Sequence, residues 1–270
     1  NSLVSSIQFS CPLPLLKKLE IHAEYQLMKA GIDWESFFQK IPVNFPSLQS
    51  FALKFDNASR SLFKLLLQKL ATLKNLTSLS LNLTKSEVLL IDLFEKYVKY
   101  LVKLSHLSLS AHLDREVEIA FDCELPNLKI FEFFTSSQAR ILNFGLFFIQ
   151  NPQIEQIYCS GGAEMINLVR GLRKFQIKGK PFKTNKIVEA SNLISLSLPV
   201  VPENWILPNL TSFELLLRSN SNIRFDNLAL LEFLEELSIE CTNFSKPIFS
   251  LTGINRLRHL KILRIIDSCP

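Results

Sequence analysis

A short frame of apolar positions recurs along the whole chain. It is plainest at residues 74–82, which read Lys-Asn-Leu-Thr-Ser-Leu-Ser-Leu-Asn, with leucines at positions one, four and six of the frame L-x-x-L-x-L. Eleven copies occur at steps of 17 to 32 residues, and apolar side chains hold these three positions in every copy. The first positions of the frames are Leu16, Leu48, Leu76, Leu104, Leu128, Ile154, Leu172, Leu193, Leu210, Leu234 and Leu260.

Positions four and six of the frame alternate with mostly polar residues. This period of two is typical of a β-strand with one buried face, so each frame predicts one short strand. A single unit of this kind cannot bury its own apolar side chains. Neighbouring units must cover them, and the sequence therefore predicts a stack of similar units with parallel strands.

The segments that connect the frames predict helices in the first half of the chain and mostly extended returns afterwards. Four of them are long enough for helices, namely residues 33–41, 60–73, 86–103 and 137–150. Between Ile154 and Leu210 the steps shorten to 18, 21 and 17 residues, too few for a strand plus a full helix. Only residues 163–170 predict a helix there, and we expect helices to resume at residues 226–234 and 247–257.

The frame, its spacing and its entry turns resemble the leucine-rich repeat family, in its ribonuclease-inhibitor-like or cysteine-containing type, whose units run 20 to 29 residues. The entry turns are Phe45-Pro-Ser-Leu48, Leu125-Pro-Asn-Leu128 and Leu207-Pro-Asn-Leu210. The resemblance implies an α/β solenoid, or horseshoe, with about eleven parallel strands on the concave face and with helices and extended returns on the convex face. It implies a single domain over residues 1–270.

The ninth frame position and the last three residues of the chain need separate interpretation. The ninth position of the frame, where the family usually has Asn or Cys to tie the loop backbone, carries neither residue in any copy. We therefore expect the loops to be held by other means. The final residues, Ser268-Cys269-Pro270, resemble the start of another repeat, so we expect the domain to be a fragment of a longer protein.

Charge and cysteine content favour an ordinary intracellular protein. The net charge of +5, from 30 basic and 25 acidic residues, is too small to indicate nucleic acid or a membrane surface without a local concentration. No apolar run reaches membrane-spanning length, so we expect no membrane span. Five widely spaced cysteines without a C-x-x-C pair fit neither a disulfide framework nor a zinc site. We expect a cytoplasmic or other intracellular location, with the nucleus as an alternative.

The sequence carries no recognisable catalytic motif. It lacks the phosphate-binding, dinucleotide-binding, nucleophile-elbow and H-E-x-x-H signatures. His106 and His112, with Asp114 nearby, are too few ligands for a metal site, and we interpret them as surface or loop residues. We therefore predict that the protein is not an enzyme and has no cofactor and no metal.

One segment, residues 170–186, is basic and contains no acidic residue. Its cations are Arg170, Arg173, Lys174, Lys178, Lys180, Lys183 and Lys186. Such a patch could bind phosphate, nucleic acid or an acidic protein. The competing interpretation is a solvated loop, which we favour because only two aromatic residues are interspersed.

In the family that the chain resembles, positions three, five and seven of the frame line the concave face. The resemblance thus points to a partner-binding patch where apolar or aromatic side chains lie beside cations, as in interface hot spots. Its predicted residues are Ile130, Glu132, Phe134, Gln156, Tyr158, Lys174 and Lys178. An adjacent segment of the same longer protein could cover them instead.

These features predict a protein–protein interaction module that acts as a scaffold, a substrate receptor or the sensing arm of a larger regulatory protein. Its partner would be a protein that binds the concave face. Two alternatives stay open. One is nucleic-acid or phosphate binding through residues 170–186, and the other is a regulatory domain of a multidomain enzyme or a NOD-like receptor.

Overall fold

The protein is an α/β protein built around one parallel sheet. The computed structural model describes residues 12–23, 33–56, 59–84, 96–111, 118–120, 123–135, 140–142, 144–160, 171–177, 188–199, 205–217, 228, 230–241 and 254–267. The main sheet has eleven strands. The chain divides into two compact units, Asn1–Gln153 and Ile154–Pro270. The single domain predicted for residues 1–270 stays a prediction.

In the first unit, helices follow the first, second and last strands of the main sheet. The elements are β1 (Lys18–Ala23), α1 (Trp34–Asn44), β2 (Ser50–Asp56), α2 (Arg60–Leu70), β3 (Ser78–Thr84), β4 (His106–Ala111), β5 (Glu118–Ala120), β6 (Ile130–Thr135), β7 (Arg140–Leu142) and α3 (Phe144–Gln150). The main-sheet strands lie in the order β1-β2-β3-β4-β6 and pair in parallel. Strands β5 and β7 form a separate parallel pair in the connecting segments.

In the second unit, the described parts of the connections between main-sheet strands contain short strands and turns. The elements are β8 (Gln156–Cys159), β9 (Lys174–Ile177), β10 (Val188–Glu189), β11 (Ser195–Leu198), β12 (Trp205–Ile206), β13 (Ser212–Leu217), β14 (Glu236–Cys241), a 3-10 turn at Ile254–Arg256 and β15 (Ile262–Asp267). The main-sheet strands lie in the order β8-β9-β11-β13-β14-β15. Strands β10 and β12 pair with each other, so the predicted extended returns are confirmed there.

Within each unit, the frames align strand to strand. On β2 and β3, for example, Phe51 pairs with Leu79 and Leu53 pairs with Leu81. In the nine frames that begin at Leu48, Leu76, Leu104, Leu128, Ile154, Leu172, Leu193, Leu210 and Leu234, positions one, four and six are all buried. On β15, by contrast, Leu263 and Ile265 are 43% and 49% exposed. The predicted strands and their buried side are thus confirmed, and the last strand is the least covered.

A common turn leads into the strands. In nine frames the N–H of the first frame residue donates to the carbonyl three residues earlier, as from Leu128 to Leu125 at 2.9 Å. Pro46, Pro126 and Pro208 each occupy the second position of such a turn, where a fixed φ near −65° fits. These turns place each strand at the same register as the strand before it.

Polar side chains tie successive turns together. The residue just before the frame reaches back to a backbone carbonyl of the previous repeat: Asn127 Nδ2 donates to Val102 O at 2.7 Å, and Gln153 Nε2 donates to Leu125 O at 2.6 Å. In the second unit, Asn209 Nδ2 donates to a carbonyl in the preceding turn at 2.6 Å. Among the described residues, these hydrogen bonds hold the connections at the entry to the strands. The side chains at the ninth position lie outside the described residues.

The first two predicted helices are confirmed. Asp33 accepts a hydrogen bond from Ser36 N at 2.9 Å and caps α1, and Ser59 accepts one from Leu62 N at 3.3 Å and caps α2. Both caps satisfy backbone N–H groups that have no partner inside the helix. Helix α2 ends three residues before the predicted limit, because the chain there turns into β3.

The other helix predictions need correction or fall outside the described residues. The helix predicted for residues 137–150 is shorter, because Arg140–Leu142 pairs with β5 as a strand. Residues 96–98 are helical, whereas 86–95 and 163–170 lie outside the described residues. Residues 228 and 230 belong to a 3-10 turn and 232–233 to an ordinary turn, so the helix predicted at 226–234 is wrong for these residues. The 3-10 turn at Ile254–Arg256 replaces the described part of the helix predicted at 247–257.

Aromatic side chains fill the space between helices and sheet in the first unit. Trp34 of α1 lies edge-on to Phe55 of β2, with ring centroids 5.3 Å apart. Phe147 of α3 lies 5.0 Å from Phe131 of β6. All four are buried, and each buried aromatic side chain contributes roughly 1.5–3 kcal/mol. These contacts hold the helices against the buried side of the sheet.

Candidate functional site

The side of the sheet opposite the buried frame positions carries partly exposed side chains. In the first unit this surface, here called the first open face, consists of positions three, five and seven of five frames. Its residues are Lys18, Glu20, His22, Ser50, Ala52, Lys54, Ser78, Ser80, Asn82, His106, Ser108, Ser110, Ile130, Glu132 and Phe134. The side chains point away from the buried leucines because successive residues of a strand face opposite sides.

Three polar side chains form a row across β3, β4 and β6. His106 Nδ1 lies 3.4 Å from Ser78 Oγ, at the outer limit for a hydrogen bond. Its Nε2 lies 3.3 Å from Glu132 Oε1, within ion-pair distance but without hydrogen-bond geometry. The row joins three neighbouring strands of one unit, and its side chains remain partly exposed, at 33% for His106 and 27% for Glu132.

Apolar side chains flank the carboxylate of Glu132. Ile130 and Phe134 lie two residues to either side of it on β6 and therefore share its face. Both are partly exposed. A carboxylate between two apolar side chains offers one anionic and two hydrophobic contacts to a partner.

The other side of the first open face carries positive charge. On β1, Lys18 Nζ lies 2.8 Å from Glu20 Oε1. The hydrogen bond from Lys18 and its positive charge lower the pKa of the Glu20 carboxyl below its usual value. Lys54 lies on β2 in register with His22 of β1, and among the described residues it takes part in no ion pair. Lys54 therefore presents a cation on this side of the face.

The same frame positions in the second unit form a surface here called the second open face, which is largely polar. Its described residues are Gln156, Tyr158, Ser160, Lys174, Gln176, Ser195, Ser197, Pro199, Ser212, Glu214, Leu216, Glu236, Ser238, Glu240, Ile262, Arg264 and Ile266. On β8, Tyr158 donates a hydrogen bond to Gln156 Oε1 at 3.0 Å, and Gln156 pairs in register with the exposed Lys174 of β9. Gln176 Nε2 donates to the buried Ser197 Oγ at 3.3 Å, which links β9 to β11.

Charged side chains lie at the β13–β15 side of the second open face. Arg264 on β15 forms an ion pair with Glu236 on β14. Lys261 Nζ and Glu235 Oε1 make a second ion pair just before these strands, at 2.8 Å. Both pairs are exposed and contribute little to stability, about 0–1 kcal/mol each.

The predicted partner-binding residues divide between the two units. Ile130, Glu132 and Phe134 lie together on β6 of the first unit. Gln156, Tyr158 and Lys174 lie together on β8 and β9 of the second unit, and Lys178 lies outside the described residues. All the described members are partly or fully exposed on an open face.

Only two cations of the predicted basic segment are described. Arg173 and Lys174 are both exposed. Arg170, Lys178, Lys180, Lys183 and Lys186 lie outside the described residues, as do His112 and Asp114. Phosphate or nucleic-acid binding through residues 170–186 stays a prediction.

The described part of the chain contains neither a metal-binding cluster nor a membrane-spanning helix. No three side chains of His, Cys, Asp or Glu lie together there in a group that could hold a metal ion. No helix there has the length and apolar character needed to cross a membrane.

The frame positions predict that Ser78, His106 and Glu132 share one face, but the sequence interpretation did not predict the contacts between them. It grouped His106 with His112, although the contacts are with Ser78 and Glu132 on neighbouring strands. The frames place Ser78 and His106 at the same position of adjacent strands, with Glu132 two residues further along the next one. The alignment gives the shared face, whereas the contacts depend on side-chain conformations.

No family model matches this chain, and no curated protein matches it significantly.

Proposed function

We propose that this protein is a leucine-rich repeat solenoid that binds a protein partner through its open faces, with no catalysis of its own. In a larger assembly it would act as a scaffold, a substrate receptor or a sensing arm. The observation that carries the proposal is the difference between the two sides of the sheet. Frame positions one, four and six are buried in nine repeats. Positions three, five and seven, on the other side of the sheet, are mostly partly exposed.

The composition of the first open face supports a protein as the partner. The face combines hydroxyl groups at Ser78, Ser80 and Ser108 with an anion at Glu132 and a partly exposed aromatic ring at Phe134. Aromatic side chains are enriched at interfaces between proteins, whereas serine and glutamate are depleted there, so Phe134 is the residue of this face that most supports a protein partner.

The proposal is tested by blocking the centre of the first open face. Ser80 and Ser108 are paired in register on β3 and β4, so Ser80→Arg with Ser108→Arg would fill the surface between them. The matched control is Gln39→Arg with Ser61→Arg, at exposed positions of α1 and α2. Each protein is used as bait in extracts of the native source, and the captured proteins are identified by mass spectrometry and re-tested in purified form.

We expect a partner that the unmodified and control proteins capture and the blocked variant loses. Circular dichroism and thermal melting check that the blocked variant is folded. Equal capture by the folded blocked variant would place the binding surface elsewhere and contradict the proposal.

A further inference from the structure

We infer that the partner of the first open face presents a helix with one acidic and one basic residue about three turns apart, which meet Lys54 and Glu132. This inference rests on the proposed function and specifies the chemistry of the partner. It is carried by the placement of two opposite charges on one face of one unit.

The separation of Lys54 and Glu132 follows from the register of the sheet. Lys54 on β2 pairs with Asn82 on β3, which pairs with Ser110 on β4. Ser110 pairs with Phe134, and Glu132 lies two residues before it on β6. Three strand spacings of about 4.8 Å and an offset of two residues at about 3.3 Å each give a separation of roughly 16 Å.

Lys54 and Glu132 carry opposite charges. Lys54 supplies a cation that takes part in no ion pair among the described residues. Glu132 supplies a carboxylate whose two oxygens can accept several hydrogen bonds, so a partner cation can share it with His106. A partner with matching charges would therefore gain two ion pairs at once.

The side chains between the two charges are shorter. Asn82, Ser110, Ser80 and Ser108 lie between Lys54 and Glu132 in the register. The longer lysine and glutamate side chains extend beyond them. A rod-shaped element can thus cross the strands while its two ends meet the charges.

A helix has the dimensions to make both contacts. Residues eleven apart lie on the same side of an α-helix, about 16.5 Å apart, which matches the separation on the sheet. A helix also satisfies its own backbone hydrogen bonds, whereas the backbone of the sheet strands beneath is already paired within the sheet. An apolar residue one turn from the basic residue would contact Ile130 or Phe134.

The inference is tested with synthetic helical peptides and charge-reversal variants. Each peptide has about eighteen alanine-rich residues and carries two charges eleven positions apart, as Glu/Arg, Arg/Arg or Glu/Glu. Binding to the full chain, to Lys54→Glu and to Glu132→Lys is measured by fluorescence anisotropy at low ionic strength. The control variants are Lys64→Glu on α2 and Glu124→Lys before β6, both at exposed positions away from the open face.

The expected preference follows the charges. The unmodified chain and both controls should bind Glu/Arg best, Lys54→Glu should bind Arg/Arg best, and Glu132→Lys should bind Glu/Glu best. Each matched pair should change affinity about two- to fivefold, and added salt should reduce the differences. Preferences that do not change with Lys54 and Glu132 would overturn the inference.

The same variants separate this inference from the proposed function. If the native partner is lost on Ser80→Arg with Ser108→Arg but retained by both charge reversals, the open face binds a partner of other chemistry and only the inference fails. If the blocked variant retains the partner, the proposed function fails as well.

Discussion

The Asn151 side chain joins the end of α3 to the turn that leads into β6. Its Oδ1 accepts a hydrogen bond from Leu125 N at 2.6 Å, and its Nδ2 donates to Cys123 O at 2.9 Å and to Phe147 O at 2.7 Å. Asn151 is fully buried. Because this buried amide binds backbone groups in both segments, it fixes the end of α3 against the turn that leads into β6.

Replacing Asn151 by leucine should therefore destabilise the first unit strongly. The substitution keeps a similar volume but removes three hydrogen bonds from buried backbone groups, so we expect a loss of about 2–4 kcal/mol in the free energy of unfolding. Urea denaturation followed by circular dichroism measures it. Asn127→Leu removes one hydrogen bond at an exposed site and should cost less than about 1 kcal/mol. Equal costs for the two would contradict this role of Asn151.

A leucine-to-alanine substitution at the same frame position should lower the free energy of unfolding by different amounts on different strands, because burial differs between them. Leu79 on β3 is completely buried, and Leu79→Ala should cost about 2–5 kcal/mol. Leu263 on β15 is 43% exposed, so Leu263→Ala should cost clearly less. Thermal and urea unfolding of both variants give the comparison. A larger loss at Leu263 would mean that the frames are not packed as described.

The cap of α1 offers a local test of helix stability. Asp33→Ala removes the acceptor for Ser36 N and leaves that N–H to the solvent, so stability should fall by about 1 kcal/mol. Asp33→Asn keeps an acceptor and should retain most of the stability. If alanine and asparagine have the same effect, the cap does not stabilise the helix.

The contact between Lys18 and Glu20 predicts a shifted titration. The pKa of Glu20 is lowered in the folded state, so this contribution to folding is present at neutral pH and is lost as the pH falls through the folded-state pKa. An NMR titration should give Glu20 a midpoint below that of a model glutamate. Lys18→Met should raise the midpoint, whereas Lys64→Met on α2 should leave it unchanged. An unshifted midpoint in the unmodified chain would argue against the contact.

The buried frame positions could be predicted from the sequence because apolar residues recur there with a regular spacing. Leu76, Leu79 and Leu81 repeat the same spacing as the other frames, and burial follows directly from the alternation along a strand. The strand at Arg140–Leu142 could not be predicted, because its short pairing with β5 depends on a contact twenty-two residues away in sequence. Local pattern alone favoured a helix there.

The candidate site was only partly predictable for a different reason. Positions three, five and seven of the frame correctly gave the partly exposed residues Ile130, Glu132 and Phe134. The approach of His106 to Glu132 depends on side-chain conformations across two strands, which spacing does not determine. The buried position of Asn151 could not be predicted from the sequence either, since a polar residue before a turn is usually exposed.

The most direct test of the account is hydroxyl-radical footprinting of the protein with and without its purified partner. Labelling of the side chains is quantified by mass spectrometry. We predict that binding reduces labelling of His106 and Phe134 on the first open face and leaves Tyr100, which is 58% exposed in the turn before β4, unchanged. Protection of Tyr100 with unchanged labelling of His106 and Phe134 would contradict binding through the open face.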